Sequence, residues 1–110
     1  MAENQGMNPG QPVAYELVDN VINAWVKRHA FTLFDEFGGL PRRFVYLSGD
    51  EGECCQISID PPVFGEIALY AFGVETRDDE EMEMRWQVPL TDLERALEDA
   101  VTAVKHWWLR

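Results

Sequence analysis

RFVYLSGDEGECCQISIDPP (residues 43–62) and EIALYAFGVETRDDEEMEMRWQVP (residues 66–89) carry the pattern that decides the fold. Within them, four segments alternate in the two-residue period of half-buried β-strands. Phe44, Tyr46 and Ser48 oppose Val45 and Leu47, and Cys55, Ile57 and Ile59 oppose Cys54, Gln56, Ser58 and Asp60. Ala68, Tyr70, Phe72 and Val74 follow, and then Met82, Met84, Trp86 and Val88 oppose Glu81, Glu83, Arg85 and Gln87. Short polar connectors at Gly49-Asp50-Glu51-Gly52 and Arg77-Asp78-Asp79-Glu80 fit tight reversals, while Asp60-Pro61-Pro62 with Gly65 forbids one continuous strand. The pattern predicts a four-stranded antiparallel meander.

Outward from this block, Leu17, Val18, Val21, Ile22 and Trp25 recur at helical spacing, with Glu16, Asp19, Asn20 and Asn23 opposite. That predicts an amphipathic helix from about residue 13 to Arg28. Phe31, Leu33, Phe34 and Phe37 then predict a further helical turn or two that seals one edge of the core, stopped by Gly38-Gly39 and Pro41. At the other end, Thr91-Asp92-Leu93-Glu94 has the capping-box form, followed by Leu93, Ala96, Leu97, Ala100, Val101, Val104 and Trp108 at helical spacing. The fold class is α+β, in the order α-β-β-β-β-α, with both helices on one face of the sheet and the other face open to water. Residues 1–12 are polar and rich in Gly and Pro, the composition of a disordered tail, which leaves 13–110 as a single domain. Tyr46, Phe44, Tyr70 and Phe72 leave more aromatic area than one core face takes up, so part of it is available as a binding surface.

Charge narrows the function classes. Twenty acidic residues against nine basic ones give a formal net charge of −11. Residues 50–99 alone hold fifteen acids and three bases. Such a surface repels phosphate backbones and anionic lipid, so neither nucleic acid nor membrane is an expected partner and a basic protein is. No run of about eighteen apolar residues and no signal-peptide pattern occurs, which places the chain in the cytoplasm. The candidate docking residues are Asp50, Glu51 and Glu53 at one turn, Asp78, Asp79, Glu80, Glu81 and Glu83 at the other, and Tyr46 and Tyr70 on the sheet.

The groups that would carry chemistry are few. Cys54 and Cys55 are adjacent on a strand and point to opposite faces, so they form neither a useful disulfide nor half of a zinc site with His29 and His106. They read as a core thiol and its neighbour. The run from Asp78 to Glu83 lacks the alternating spacing and central glycine of a calcium loop. No phosphate-binding glycine loop, nucleotide fingerprint or serine elbow is present. The expectation is a protein with no catalytic residues, no metal and no cofactor. Trp107 and Trp108 point about a hundred degrees apart on the last helix, so Trp108 is assigned to the core and Trp107 to a half-exposed patch.

The acidic α-β-β-β-β-α layout, the Gly52-x-Cys54-Cys55-Gln56-Ile57-Ser58-Ile59 strand and the Trp86-Gln87-Val88-Pro89-Leu90-x-x-Leu93 entry into the last helix resemble the small cytosolic immunity proteins of bacterial polymorphic-toxin systems. That resemblance implies a toxin inhibitor, which binds a cognate toxin domain and blocks its active site or groove, often on a nuclease or deaminase with a basic cleft. The candidate docking residues themselves come from charge and exposure. The alternative resemblance is to acidic type III secretion chaperones, which bind an effector segment; those place a helix among the strands, and none fits between Phe64 and Val88. Those chaperones usually dimerise, so a stable dimer would favour that resemblance; the oligomeric state of this chain is left open.

Overall fold

The computed structural model of the chain describes residues 18–35, 42–75 and 83–109. In order they form helix α1 (Asp19–His29), strands β1 (Phe34–Asp35), β2 (Arg43–Ser48), β3 (Cys54–Ile59), β4 (Glu66–Glu75) and β5 (Glu83–Pro89), a 3₁₀ turn (Leu90–Asp92), and helix α2 (Leu93–Trp108). The strands make one antiparallel sheet in the order β1-β2-β3-β4-β5. The class is therefore α+β as the alternation predicts, with one strand more. Phe34 was expected in a helical turn and instead pairs with Phe44, while Asp35 pairs with Arg43. The helical reading failed because Ala30 takes a left-handed conformation, its N–H meeting Lys27 O and the Phe31 N–H meeting Val26 O, which ends α1 before the aromatic cluster. The expected tail, the first predicted turn of the N-terminal helix and the Arg77–Glu80 connector lie outside the described residues.

Register sorts the side chains into two faces. Val45 pairs with Ile57 and Ile57 with Ala71; Ile59 pairs with Leu69 and Leu69 with Trp86. These residues face the helices. Ile22 and Trp25 from α1 and Leu93, Ala96, Leu97, Ala100, Val101 and Val104 from α2 complete a single buried cluster with them. α2 lies over β4 and β5, and α1 packs beside it. Burying such a continuous apolar layer is the dominant favourable contribution to folding.

Polar contacts fix the helix layer. Glu98 of α2 accepts from Arg28 Nε at 2.9 Å, from Arg28 Nη2 at 2.6 Å and from His29 Nε2 at 2.9 Å, joining the two helices. Burial raises the Glu98 pKa, but the hydrogen bonds from Arg28 and His29 and their charge outweigh it, and the net shift is downward. Arg43 is the one charged residue on the core face of β2, and it reaches Asp19 of α1 and Asp35 of β1. The capping box is not formed. Asp92 occupies the N-cap of α2 without a side-chain cap hydrogen bond, because the preceding 3₁₀ turn leaves it at φ −101, ψ 6, away from the extended geometry capping requires. Its carboxylate lies 3.4 Å from Arg95 Nη2 instead.

Candidate functional site

Among the described residues, no helix lies over the second face of the sheet. Register sets Phe34, Phe44, Ser58, Tyr70 and Arg85 across the five strands in one row, and Tyr46, Gln56, Phe72 and Glu83 in the next. Strand alternation alone therefore delivers both predicted tyrosines, Tyr46 and Tyr70, to one surface. At the β1–β2 end, Phe34, Phe44 and Tyr46 form a three-ring cluster with centroids 5.4 to 5.7 Å apart. Phe34 remains 41% and Tyr46 43% exposed. Such rings hold one another in place while keeping apolar area in water.

The β4–β5 half of this face is built differently. Arg42 and Arg85 lie over the Tyr70 ring, with Cζ 5.8 and 5.5 Å from its centroid. Arg42 also pairs with Asp60 at 2.8 Å, and Arg85 donates to Gln87, which donates in turn to Glu66. Ser58, wholly buried between the Phe44 and Tyr70 positions, accepts from Gln56 Nε2 at 2.8 Å. The outward face is thus an ordered, partly aromatic surface with its polar groups mutually engaged. Tyr70 is half-buried beneath the two guanidinium groups and less available than the sequence predicted.

The acidic candidates divide three ways. Asp50 and Glu51 are exposed on the β2–β3 turn, and Glu83 is exposed at the start of β5 beside Phe72. Asp78, Asp79, Glu80 and Glu81 lie outside the described residues. Glu53 departs from the expectation of an exposed docking carboxylate: it is 6% exposed, and its Oε1 accepts from the Glu51 N–H at 3.1 Å. Gly49 makes this possible, since a Cβ there would stand 2.5 Å from Glu53 Oε1. Glu53 shapes the turn that carries Asp50 and Glu51. This turn and the end of α2 enclose a cleft of about 400 Å³ lined by Asp50, Glu51, Lys105, Trp108 and Leu109.

The thiols take the places alternation assigns. Cys55 is fully buried, and Cys54 is partly exposed on the opposite face. Burial pushes the Cys55 pKa up to about 11, helped by neighbouring Cys54 and Glu53. Trp108 Nε1, buried beside it, makes no hydrogen bond of good geometry that would hold the thiolate and offset this rise. A thiol held neutral in this way is a poor nucleophile at pH 7. Both Trp107 and Trp108 are half-buried and pack against the core, so the expected contrast between them is absent. Trp107 lines a groove of about 550 Å³ with Met84, Trp86, Ala103 and His106, beside the edge strand β5.

Among the described residues, no group of three or more His, Cys, Asp or Glu side chains is placed to hold a metal ion. No helix there is long and apolar enough to cross a membrane. Sequence reasoning missed Arg42 and Arg85, whose roles depend on cross-strand placement, and misplaced Phe34. Their signal was present only in the register. Fold and surface together define a two-layer α+β domain in which no described element covers the second sheet face. Comparison with protein-family models, with curated proteins and with solved structures finds no match.

Proposed function

We propose that this chain is a non-catalytic binding protein that neutralises a basic toxin domain by covering its active site or substrate groove. The single observation that carries the reading is the sheet face that no described element covers, where Phe34, Phe44 and Tyr46 offer apolar area and exposed Glu83 stands at the margin. Interfaces of this kind combine a small aromatic centre with a charged rim. The net charge of −11 favours a cationic partner and steers its approach.

The test is co-expression with the protein encoded by the neighbouring gene, followed by stopped-flow binding of the purified pair. Growth arrest by that protein alone, relieved by this chain, is the expected result. The D50K/E83K double variant should associate about tenfold more slowly at low ionic strength and approach the parent rate as salt is raised, since exposed charges are screened over about 8 Å at physiological salt. Tyr46→Ala should speed dissociation. Salt-independent association, unchanged by both variants, would sink the proposal.

A second reading has one observation in its favour. β5 is an edge strand among the described residues, and the apolar groove formed by Met84, Trp86 and Trp107 runs beside it. An extended effector segment would fit such an edge by adding a strand, as a secretion chaperone would use it. Binding that survives unfolding of the partner, and is lost on Trp86→Ala but not on Tyr46→Ala, would favour this alternative.

A further inference from the structure

The connection between β3 and β4 ends in a tight turn with an aromatic side chain wholly in water. Val63 and Glu66 form an isolated antiparallel bridge, with hydrogen bonds of 2.8 and 3.0 Å in the two directions, leaving Phe64 and Gly65 as the two central residues of a tight hairpin turn. Both lie at positive φ, 52° and 79°. That is the pattern of a type I′ turn, whose first central position is ordinarily Asn, Asp or Gly. A phenylalanine there pays the left-handed backbone penalty of a residue with a bulky Cβ substituent. Packing does not offset that penalty, because Phe64 is 100% exposed, and its neighbour Val63 is 59% exposed.

The turn is nevertheless held firmly. The Leu90 N–H donates to Gly65 O at 3.1 Å, tying the tip to the entry of α2, and Pro61-Pro62 restrict the backbone just before it. A rigid, strained turn that displays one aromatic ring wholly in water has the properties of a preorganised anchor, which loses little side-chain freedom when its pocket closes on it. Exposed Glu66 flanks it on one side, while Asp60 on the other is paired with Arg42. We infer that Phe64 is an anchor that inserts into an apolar pocket, rimmed by Lys or Arg, on a partner protein. Exposed Glu66 beside the tip and the chain's net charge of −11 argue against insertion into an anionic bilayer. This deepens the binding-protein reading and rests on it.

Two variants separate the inference from that reading. Phe64→Asn suits the turn, so its Tm should rise by about 4 °C if the strain is real. The same variant should bind the neighbouring gene's product at least tenfold more weakly, whereas Phe64→Leu should retain most of the affinity. p-Benzoylphenylalanine at position 64, in the full chain expressed in cells, should cross-link to a protein at a peptide carrying Lys or Arg; the same probe at exposed Asn23 of α1 should not. Lower stability of Phe64→Asn, or equal binding by Phe64→Asn and the parent, overturns the anchor while leaving the binding reading in place. Cross-links only to a second copy of the chain, or binding of the parent to phosphatidylcholine vesicles that Phe64→Asn loses, overturn it as well. No binding by the parent and no protein cross-link at position 64 overturn both.

Discussion

Leu97→Ala probes the junction between the helix layer and the sheet. Leu97 is completely buried in the single core cluster, on the same stripe of α2 as Leu93, Ala100, Val101 and Val104. The substitution removes three carbon groups, worth about 2.4 kcal/mol at roughly 0.8 kcal/mol each. The helix and sheet backbones around the site are hydrogen-bonded and close only part of the void, so a cavity term brings the loss to about 3–4 kcal/mol. Stability of a domain this size is on the order of 5–15 kcal/mol, which makes the loss a large fraction. Thermal unfolding followed by circular dichroism should show Tm falling by about 12 °C or more. Urea unfolding should show a lower midpoint with an unchanged slope, the mark of altered stability without altered compactness. A variant that melts within two or three degrees of the parent would mean that Leu97 is not in the core and that the phase of α2 is wrong.

Three further outcomes follow from other parts of the molecule. Glu98→Gln should lower stability by at most about 1 kcal/mol near neutral pH, because Glu98 is more than a third exposed and its pairs are screened. Its pKa is lower in the folded state, so its contribution is full above the unfolded value and fades as pH falls through the folded one; parent and variant should converge only once pH has dropped below the ordinary glutamate range in pH-dependent thermal melts. With a thiol-reactive disulfide reagent at pH 8, Cys54 should react in the native protein and Cys55 only on unfolding; two fast-reacting thiols would contradict the burial of Cys55. Arg43→Met should destabilise the chain by at most about 1 kcal/mol, because Asp19 and Asp35, which lose their shared guanidinium, are both more than a third exposed, and Asp19→Asn in the same chain should recover part of that loss in a double-mutant cycle.

The faces of β2, β3 and β5 and the inner stripe of α2 were legible in the sequence, because alternation and helical spacing are local properties that no distant contact reverses. Val45, Leu47, Cys55, Ile57 and Ile59 are buried as their period requires, and Phe44 and Tyr46 stand on the other face. The net acidity and the surplus of aromatic side chains, from which a binding surface was read, are likewise matters of composition. Tertiary structure decided the rest. Phe34 became a strand residue only because Phe44 stands across from it, and a two-residue strand has no period of its own to read. Glu53 turned inward because Gly49 leaves room for its carboxylate, a contact between turn residues that charge counting does not register. Phe64 reads in sequence as one apolar residue in a proline-rich loop; its left-handed backbone and full exposure arise from the hydrogen bonds that close the hairpin around it. Periodicity reports which way a side chain points from its own strand or helix, whereas pairing partners and turn closure depend on residues brought together by the fold.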